Sequence, residues 1–209
     1  ISYGDLVLDV GCSERNIEHL AKLRHSQYFG VEYPVWQNMY SVISIPKRPD
    51  AWIDIMQSGF KSSSFHTIFM FDVVEHLSDP EIAFKNRFQM LSVRGKLVIL
   101  IPFLIELHGG QDAEEDYIRM SPNGLKAFLT RAGFSVVNTQ VLGTFGDTLV
   151  SLTSGFYLRH FFASGTIQKI LFFLLGGCSI LIINIIKPLL NLIDRLNRNP
   201  TYIAAIAIK

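Results

Sequence analysis

The chain has 209 residues, 49% of them hydrophobic and 18% charged, which is enough apolar material for a full-sized core and excludes a disordered or fibrous protein. A net charge of +1 gives no overall reason to expect nucleic acid. The two cysteines, Cys12 and Cys178, are too few for a disulfide framework or a cysteine zinc site, so an intracellular protein without a metal is expected.

The chain opens almost directly on a strand with no signal-peptide pattern, and a further N-terminal portion is expected before Ile1. Strand-length apolar runs then alternate with helical patterns. LVLDV (6–10) is followed by a helix from about Glu14 to Arg24, QYFGVE (27–32), a Pro-containing loop and AWIDI (51–55). HTIFMFD (66–72) and GKLVILIPF (95–103) frame a helix starting near Asp79–Pro80, where Asp caps and Pro occupies the first turn. SPNGLKAFLTRAGF (121–134) supplies a Ser cap, an early Pro and a terminal Gly133, and FSVVNTQVLGTF returns as a strand. The strands are continuous apolar runs, the texture of parallel strands covered on both faces, so the class is α/β, doubly wound.

In such sheets a ligand sits beyond the carboxyl ends of the strands. Asp9, Glu32, Asp54 and Asp72 each fall at or within one residue of such an end. One or two would be ordinary helix caps; four suggest a site. A nicotinamide dehydrogenase is excluded, because G-x-G-x-x-G is wanted between strand and helix and only Gly11 is there.

VLDVGCS, GVEYP, DAWIDI and FDVVEHLSDP together resemble successive motifs of the class I S-adenosylmethionine-dependent methyltransferases, in particular the methyltransferase type 11 group, over about residues 5–140. The resemblance implies a mostly parallel, seven-stranded Rossmann-like sheet, S-adenosylmethionine as cofactor, and methyl transfer as the activity. It places Asp9, Gly11 and Ser13 beside the methionine part, Glu32 on the ribose hydroxyls, Asp54 and Ile55 by the adenine, and Phe71, Asp72 and Val73 under the cofactor. The departure is in the loop, where Ser13 and Arg15 stand in place of family glycines. A serine follows the same path if its φ is negative; Arg15 has no evident place. The cofactor carries no phosphate, so no tight pyrophosphate cradle is required. A catalytically degenerate, non-enzymatic binding or assembly module is the alternative.

His76 and His108 are candidate catalytic bases by position, although His76 also suits packing or hydrogen bonding at a helix start. DAEEDY (112–117) is an acidic cluster that usually is just solvated, and Tyr117 and Arg119 are candidates for shaping an acceptor pocket.

Charge is uneven along the chain: residues 151–209 hold six Lys or Arg against one Asp, a balance of +5, which leaves −4 for residues 1–150. Within that basic part, residues 170–186 carry no formal charge and lie between Lys169 and Lys187. A single membrane crossing conflicts with TYIAAIAIK (201–209) returning antiparallel beside the strand of 134–143, so the segment goes in and back, lies on the surface, or packs on protein. Gly176–Gly177 would break it into a re-entrant pair, and KPLLNLIDRLNR would follow as an amphipathic helix with Leu189, Leu190, Ile193 and Leu196 opposite Arg195 and Arg198. The expected organisation is a cofactor-binding core at 1–150, a hydrophobic helical insertion at 151–200 and a final strand at 201–209. The expected partners are a membrane surface, contacted through 156–198, and a small-molecule or lipid-linked acceptor. The expected location is cytoplasmic, peripheral at the inner membrane face.

Overall fold

The computed structural model describes residues 1–37, 47–57, 59–108, 115–163, 165–194 and 198–209. Seven strands form one sheet: β1 (Leu6–Val10), β2 (Gln27–Glu32), β3 (Ala51–Trp52), β4 (Phe65–Phe71), β5 (Leu91–Pro102), β6 (Val136–Leu142) and β7 (Tyr202–Ile208). Their order is β3-β2-β1-β4-β5-β7-β6. The first five pair in parallel, with β1 in register against β2 (Leu8 with Phe29) and β4 (Leu8 with Ile68). The last strand is antiparallel to its neighbours: the Arg94 N–H donates to the Lys209 carbonyl, and the Ser135 N–H to that of Ile208. The doubly wound α/β expectation is therefore met.

The helices are α1 (Asn16–Leu23), α2 (Pro80–Met90), α3 (Pro122–Arg131), α4 (Phe145–Ala163) and α5 (Thr166–Ile193). Two begin as their sequences predict. Asp79 Oδ1 accepts the N–H groups of Glu81 and Ile82, and Ser121 Oγ accepts that of Gly124. Gly133 follows α3 with φ of 109°, a backbone state that favours glycine.

The chain divides into two compact units. The first is Ile1–Ile101, Glu115–Gln140 and Ala204–Lys209; the second is Pro102–Glu114 and Val141–Ile203. Burial in the first explains its continuous apolar strands: Val7, Leu8, Val10, Ile68, Met70, Leu97 and Ile99 are at most 1% exposed, so both faces of the central strands are covered. Ala21, Phe84, Leu125 and Leu129 supply cover from the helices.

In the second unit α4 and α5 pack as a hairpin. Tyr157 Oη lies 3.3 Å from Ser179 Oγ, and the ring of Tyr157 rests on Gly176, where an added Cβ would stand 2.9 Å from its Cγ. This corrects two expectations. Gly176–Gly177 does not break the apolar run; Gly176 is the notch through which α4 approaches α5. The segment after Lys187 is no separate amphipathic helix, since α5 runs on through Pro188 to Ile193; Arg195 and Leu196 lie outside the described residues. The two ends of the hairpin meet: Thr148 Oγ1 donates to the Asn199 carbonyl at 2.8 Å, and Gly143 abuts Thr201.

A third correction concerns 51–55, of which only Ala51–Trp52 is strand. The Ile53 N–H still bonds to the Glu32 carbonyl, but Asp54 Oδ1 then accepts the Met56 N–H at 2.9 Å, and this Asx turn ends the extended run.

Candidate cofactor and active site

The turn after β1 is held by backbone and carboxylate together. Asp9, 4% exposed, accepts the Tyr28 hydroxyl at 2.7 Å. Gly11 has φ of 68°, and a Cβ there would stand 2.5 Å from Val73 Cγ2, so conformation and space both demand glycine. The N–H groups of Gly11 and Cys12 donate to the Val31 carbonyl, and the Ser13 N–H donates to Glu32 Oε2 at 3.1 Å. Glu32 Oε1 accepts the Tyr33 N–H, also at 3.1 Å. Ser13 has φ of 40° and Arg15 of 62°, so the condition of a negative φ at Ser13 is not met: both residues take the left-handed backbone that glycine would take. Such a conformation costs about 1–2 kcal/mol per non-glycine residue.

Burial sets the charge of this region. It pushes the Asp9 carboxyl up to about 6, with the Tyr28 hydroxyl working against it and Glu32 adding to it. Burial likewise raises the Cys12 thiol to about 12, which makes it an inert core group.

Asp54 and Ile55 form the loop after β3, and α2 fastens it from below. Asn86 Nδ2 donates to the Met56 carbonyl at 2.9 Å and Arg87 Nη2 to the Ile55 carbonyl at 2.8 Å. Arg87 is 1% exposed; burial lowers its pKa to about 10, opposed by the charge of Asp54. Neither α2 residue was singled out from the sequence. The available signal was spacing, since Arg87 lies four residues after the buried Ala83 and three after Phe84.

Past β4, Phe71 is half-buried, Asp72 is exposed with φ of 51°, and Val73 is buried against Gly11. The geometry thus unites Gly11, Ser13, Glu32 and Val73, whereas Asp54 and Ile55 bond within their own loop and to α2. Glu75 is fully buried, and burial pushes its carboxyl up to about 8, with Asp72 and Asp116 adding to the rise and Arg119 opposing it. His76 Nδ1 lies 2.8 Å from the Glu115 carbonyl and Nε2 lies 3.8 Å from Glu75 Oε1. A carbonyl only accepts, so Nδ1 carries the proton and the neutral ring has its lone pair on Nε2. Arg119 pairs in two-pronged fashion with Asp116, whose side chain is fully buried, and the Tyr117 N–H donates to the Glu75 carbonyl. His108 belongs to the second unit, with Nδ1 3.3 Å from the Glu106 carbonyl. Residues 109–114, which include the first half of the acidic cluster, lie outside the described residues.

A family profile described as a methyltransferase domain matches residues 2–139. The chain belongs to the class I S-adenosylmethionine-dependent methyltransferases. A search of curated proteins found no match. Among solved structures, it is similar to an S-adenosylmethionine-dependent methyltransferase from Archaeoglobus fulgidus at 18% identity and a TM-score of 0.61, covering 99% of this chain and 86% of that one. It is also similar to Haemonchus contortus phosphoethanolamine N-methyltransferase 2 in complex with S-adenosyl-L-methionine, at 14% identity and a TM-score of 0.62, over all of this chain but 49% of that one. An S-adenosylmethionine-dependent methyltransferase from Mesorhizobium loti matches at 13% identity and a TM-score of 0.56, covering 99% and 92%. At these identities the likeness is one of fold.

Glu75 gives a pH-dependent prediction. Between its unfolded value of 4.5 and its folded value of about 8, the unfolded methyltransferase releases this proton while the folded one keeps it, so stability falls as pH rises. The maximum slope is about 1.4 kcal/mol per pH unit. Glu75→Gln removes the titration. The melting temperature of the variant, measured relative to that of the wild type, should climb from pH 5 to pH 8; a constant difference would contradict burial of an uncharged carboxyl.

Proposed function

We propose that this methyltransferase works as a peripheral protein on the cytoplasmic face of a membrane and methylates a lipid-linked or membrane-bound acceptor, such as a glycan precursor or an isoprenoid. The observation that carries the reading is the apolar surface of α5. This helix has 28 residues and a mean hydropathy of 2.3 over its most apolar window, only 6% of which is buried. Phe173, Leu174, Leu181, Ile182, Ile185 and Leu189 are all exposed. Such a contiguous face is far beyond what a water-facing helix carries. Because the ends of the hairpin meet at Thr148–Asn199, the hairpin enters and leaves on one side, which favours insertion from one face over a single crossing. Lys169 and Lys187 bracket its uncharged stretch in a segment with a balance of +5, which favours an anionic surface.

In the core, the residues present suit the cofactor. Glu32 is a nearly buried carboxylate at a strand end, and each of its oxygens has two acceptor sites, so one that already takes a backbone N–H can also take a ribose hydroxyl. Asp9, Gly11 and Ser13 line the turn assigned to the methionine part, Asp54 and Ile55 the loop assigned to adenine, and Phe71, Asp72 and Val73 the segment beneath. The cofactor supplies an electrophilic methyl group on a sulfonium, which departs as a neutral thioether. The work left to the protein is positioning in a dry pocket and, for an oxygen or nitrogen acceptor, removal of a proton. His76, with its Nδ1 proton fixed on a backbone carbonyl, is the base in this reading. His108 is the second candidate.

Two experiments test the reading. In calorimetric titration, wild-type protein should bind S-adenosylhomocysteine and Glu32→Ala should bind it at least tenfold more weakly; a folded wild type that does not bind would leave the non-enzymatic module instead. Separately, the full chain should float with anionic liposomes, and the triple substitution Phe173→Glu, Leu181→Glu and Ile185→Glu should abolish flotation without changing S-adenosylhomocysteine affinity. Unchanged flotation would remove the membrane from the proposal.

A further inference from the structure

Two residues of the cofactor turn, Ser13 and Arg15, hold a backbone state that glycine would adopt at no cost. Arg15 also precedes α1 in the capping position, and its side chain makes no capping hydrogen bond. Neither local preference keeps this loop in place. Something else must.

The Arg15 side chain, only 11% exposed, supplies it. Nη1 lies 3.0 Å from Asp50 Oδ1 and donates to the Arg48 carbonyl at 2.9 Å, while Nε donates to Glu18 Oε2 at 3.2 Å. The guanidinium carbon stands 4.7 Å from the centre of the Tyr28 ring. Burial works against the charge, yet hydrogen bonding and attraction from Asp50 outweigh it and the Arg15 pKa is raised. Both anchors are themselves fixed to the sheet. Asp50 Oδ2 accepts the Gly30 N–H of β2 at 2.8 Å, and the Tyr28 hydroxyl, also on β2, donates to Asp9 at the end of β1.

We infer that Arg15 is a positioning residue for the cofactor: its guanidinium ties the glycine-poor turn to β2 through Asp50 and Tyr28, and holds the Ser13 N–H on Glu32. The inference rests on the methyltransferase reading of this site. Loop shape comes from a side-chain clamp here, not from glycine freedom. A planar, forked cation is required, because the same group stacks on a ring and donates in two directions; an ammonium cannot do both.

The clamp separates affinity from stability, and that is its test. Arg15→Gly relieves the backbone strain but cuts the tether, so its melting temperature should equal or exceed that of Arg15→Ala while S-adenosylhomocysteine binding, by calorimetry, falls at least fivefold from wild type. Arg15→Lys, which keeps the charge and is the milder change, should fall between the two. Asp50→Asn should weaken binding in the wild-type background and add little in the Arg15→Gly background. A folded Arg15→Gly protein that binds as tightly as wild type, or full additivity of the Arg15 and Asp50 losses, would overturn the clamp and leave the cofactor assignment standing. A wild type that does not bind would overturn both.

Discussion

A buried carboxylate at the end of β2 accepts a backbone N–H from the turn after β1, and the site is organised around that bond. Glu32 lies 3.1 Å from the Ser13 nitrogen and accepts its own neighbour's N–H with the second oxygen. The bond fixes the turn in register with β2, and the turn in turn closes on Val73 because Gly11 has no Cβ. Three strand ends are thereby brought to one place: the first through its turn, the second through its acid, and the fourth through the segment that packs on Gly11. Loss of the Glu32 side chain would leave the Ser13 N–H unpaired and the turn held to β2 only by the Gly11 and Cys12 bonds to the Val31 carbonyl and by Arg15.

The acids of this core are not alike. Asp9 and Glu75 are both pushed up by burial, to about 6 and about 8, and so differ from surface carboxylates in carrying protons within the range where enzymes work. Asp9 is partly compensated by the Tyr28 hydroxyl, which links its ionisation to the Arg15 clamp on the other side of that ring. Glu75, three residues past Asp72 and next to His76, is a buried group that charges only when pH rises. Its neighbour is the candidate base, His76, whose Nε2 lies 3.8 Å from Glu75 Oε1.

The strand ends were legible in the sequence because an acid closing an apolar run is uncommon outside caps. Asp79 and Ser121 were legible as caps because side chain and N–H partner lie within three residues. What the sequence hid depends on distant partners. The place of Arg15 is defined by Asp50 and Tyr28, thirty-five and thirteen residues away, and no local pattern points to either. Arg87 reads as a solvent-facing helix residue until its spacing from Ala83 and Phe84 is considered. The Gly176–Gly177 pair reads as a breaker because glycine lowers helix propensity; in the structure the helix is continuous, and the ring of Tyr157, nineteen residues earlier, uses Gly176 as a contact surface. The strand at 51–55 was over-extended because Asp54 turns back on Met56, a side-chain bond that competes with strand pairing.

The second unit has a different physical problem. Its hairpin satisfies backbone hydrogen bonds internally and seals α4 to α5, yet leaves most of the apolar α5 surface uncovered. A bilayer would cover it, and the hairpin's shared entry and exit suit insertion from one side. The cofactor chemistry of the first unit stands apart from that question and is decided by one measurement: a crystal structure of the full chain with S-adenosylhomocysteine. Both ribose hydroxyls should lie within hydrogen-bond distance of Glu32, with the Ser13–Glu32 bond kept. A ligand whose ribose sits elsewhere, or a Glu32 side chain turned away from the turn, would contradict the central role given to that carboxylate.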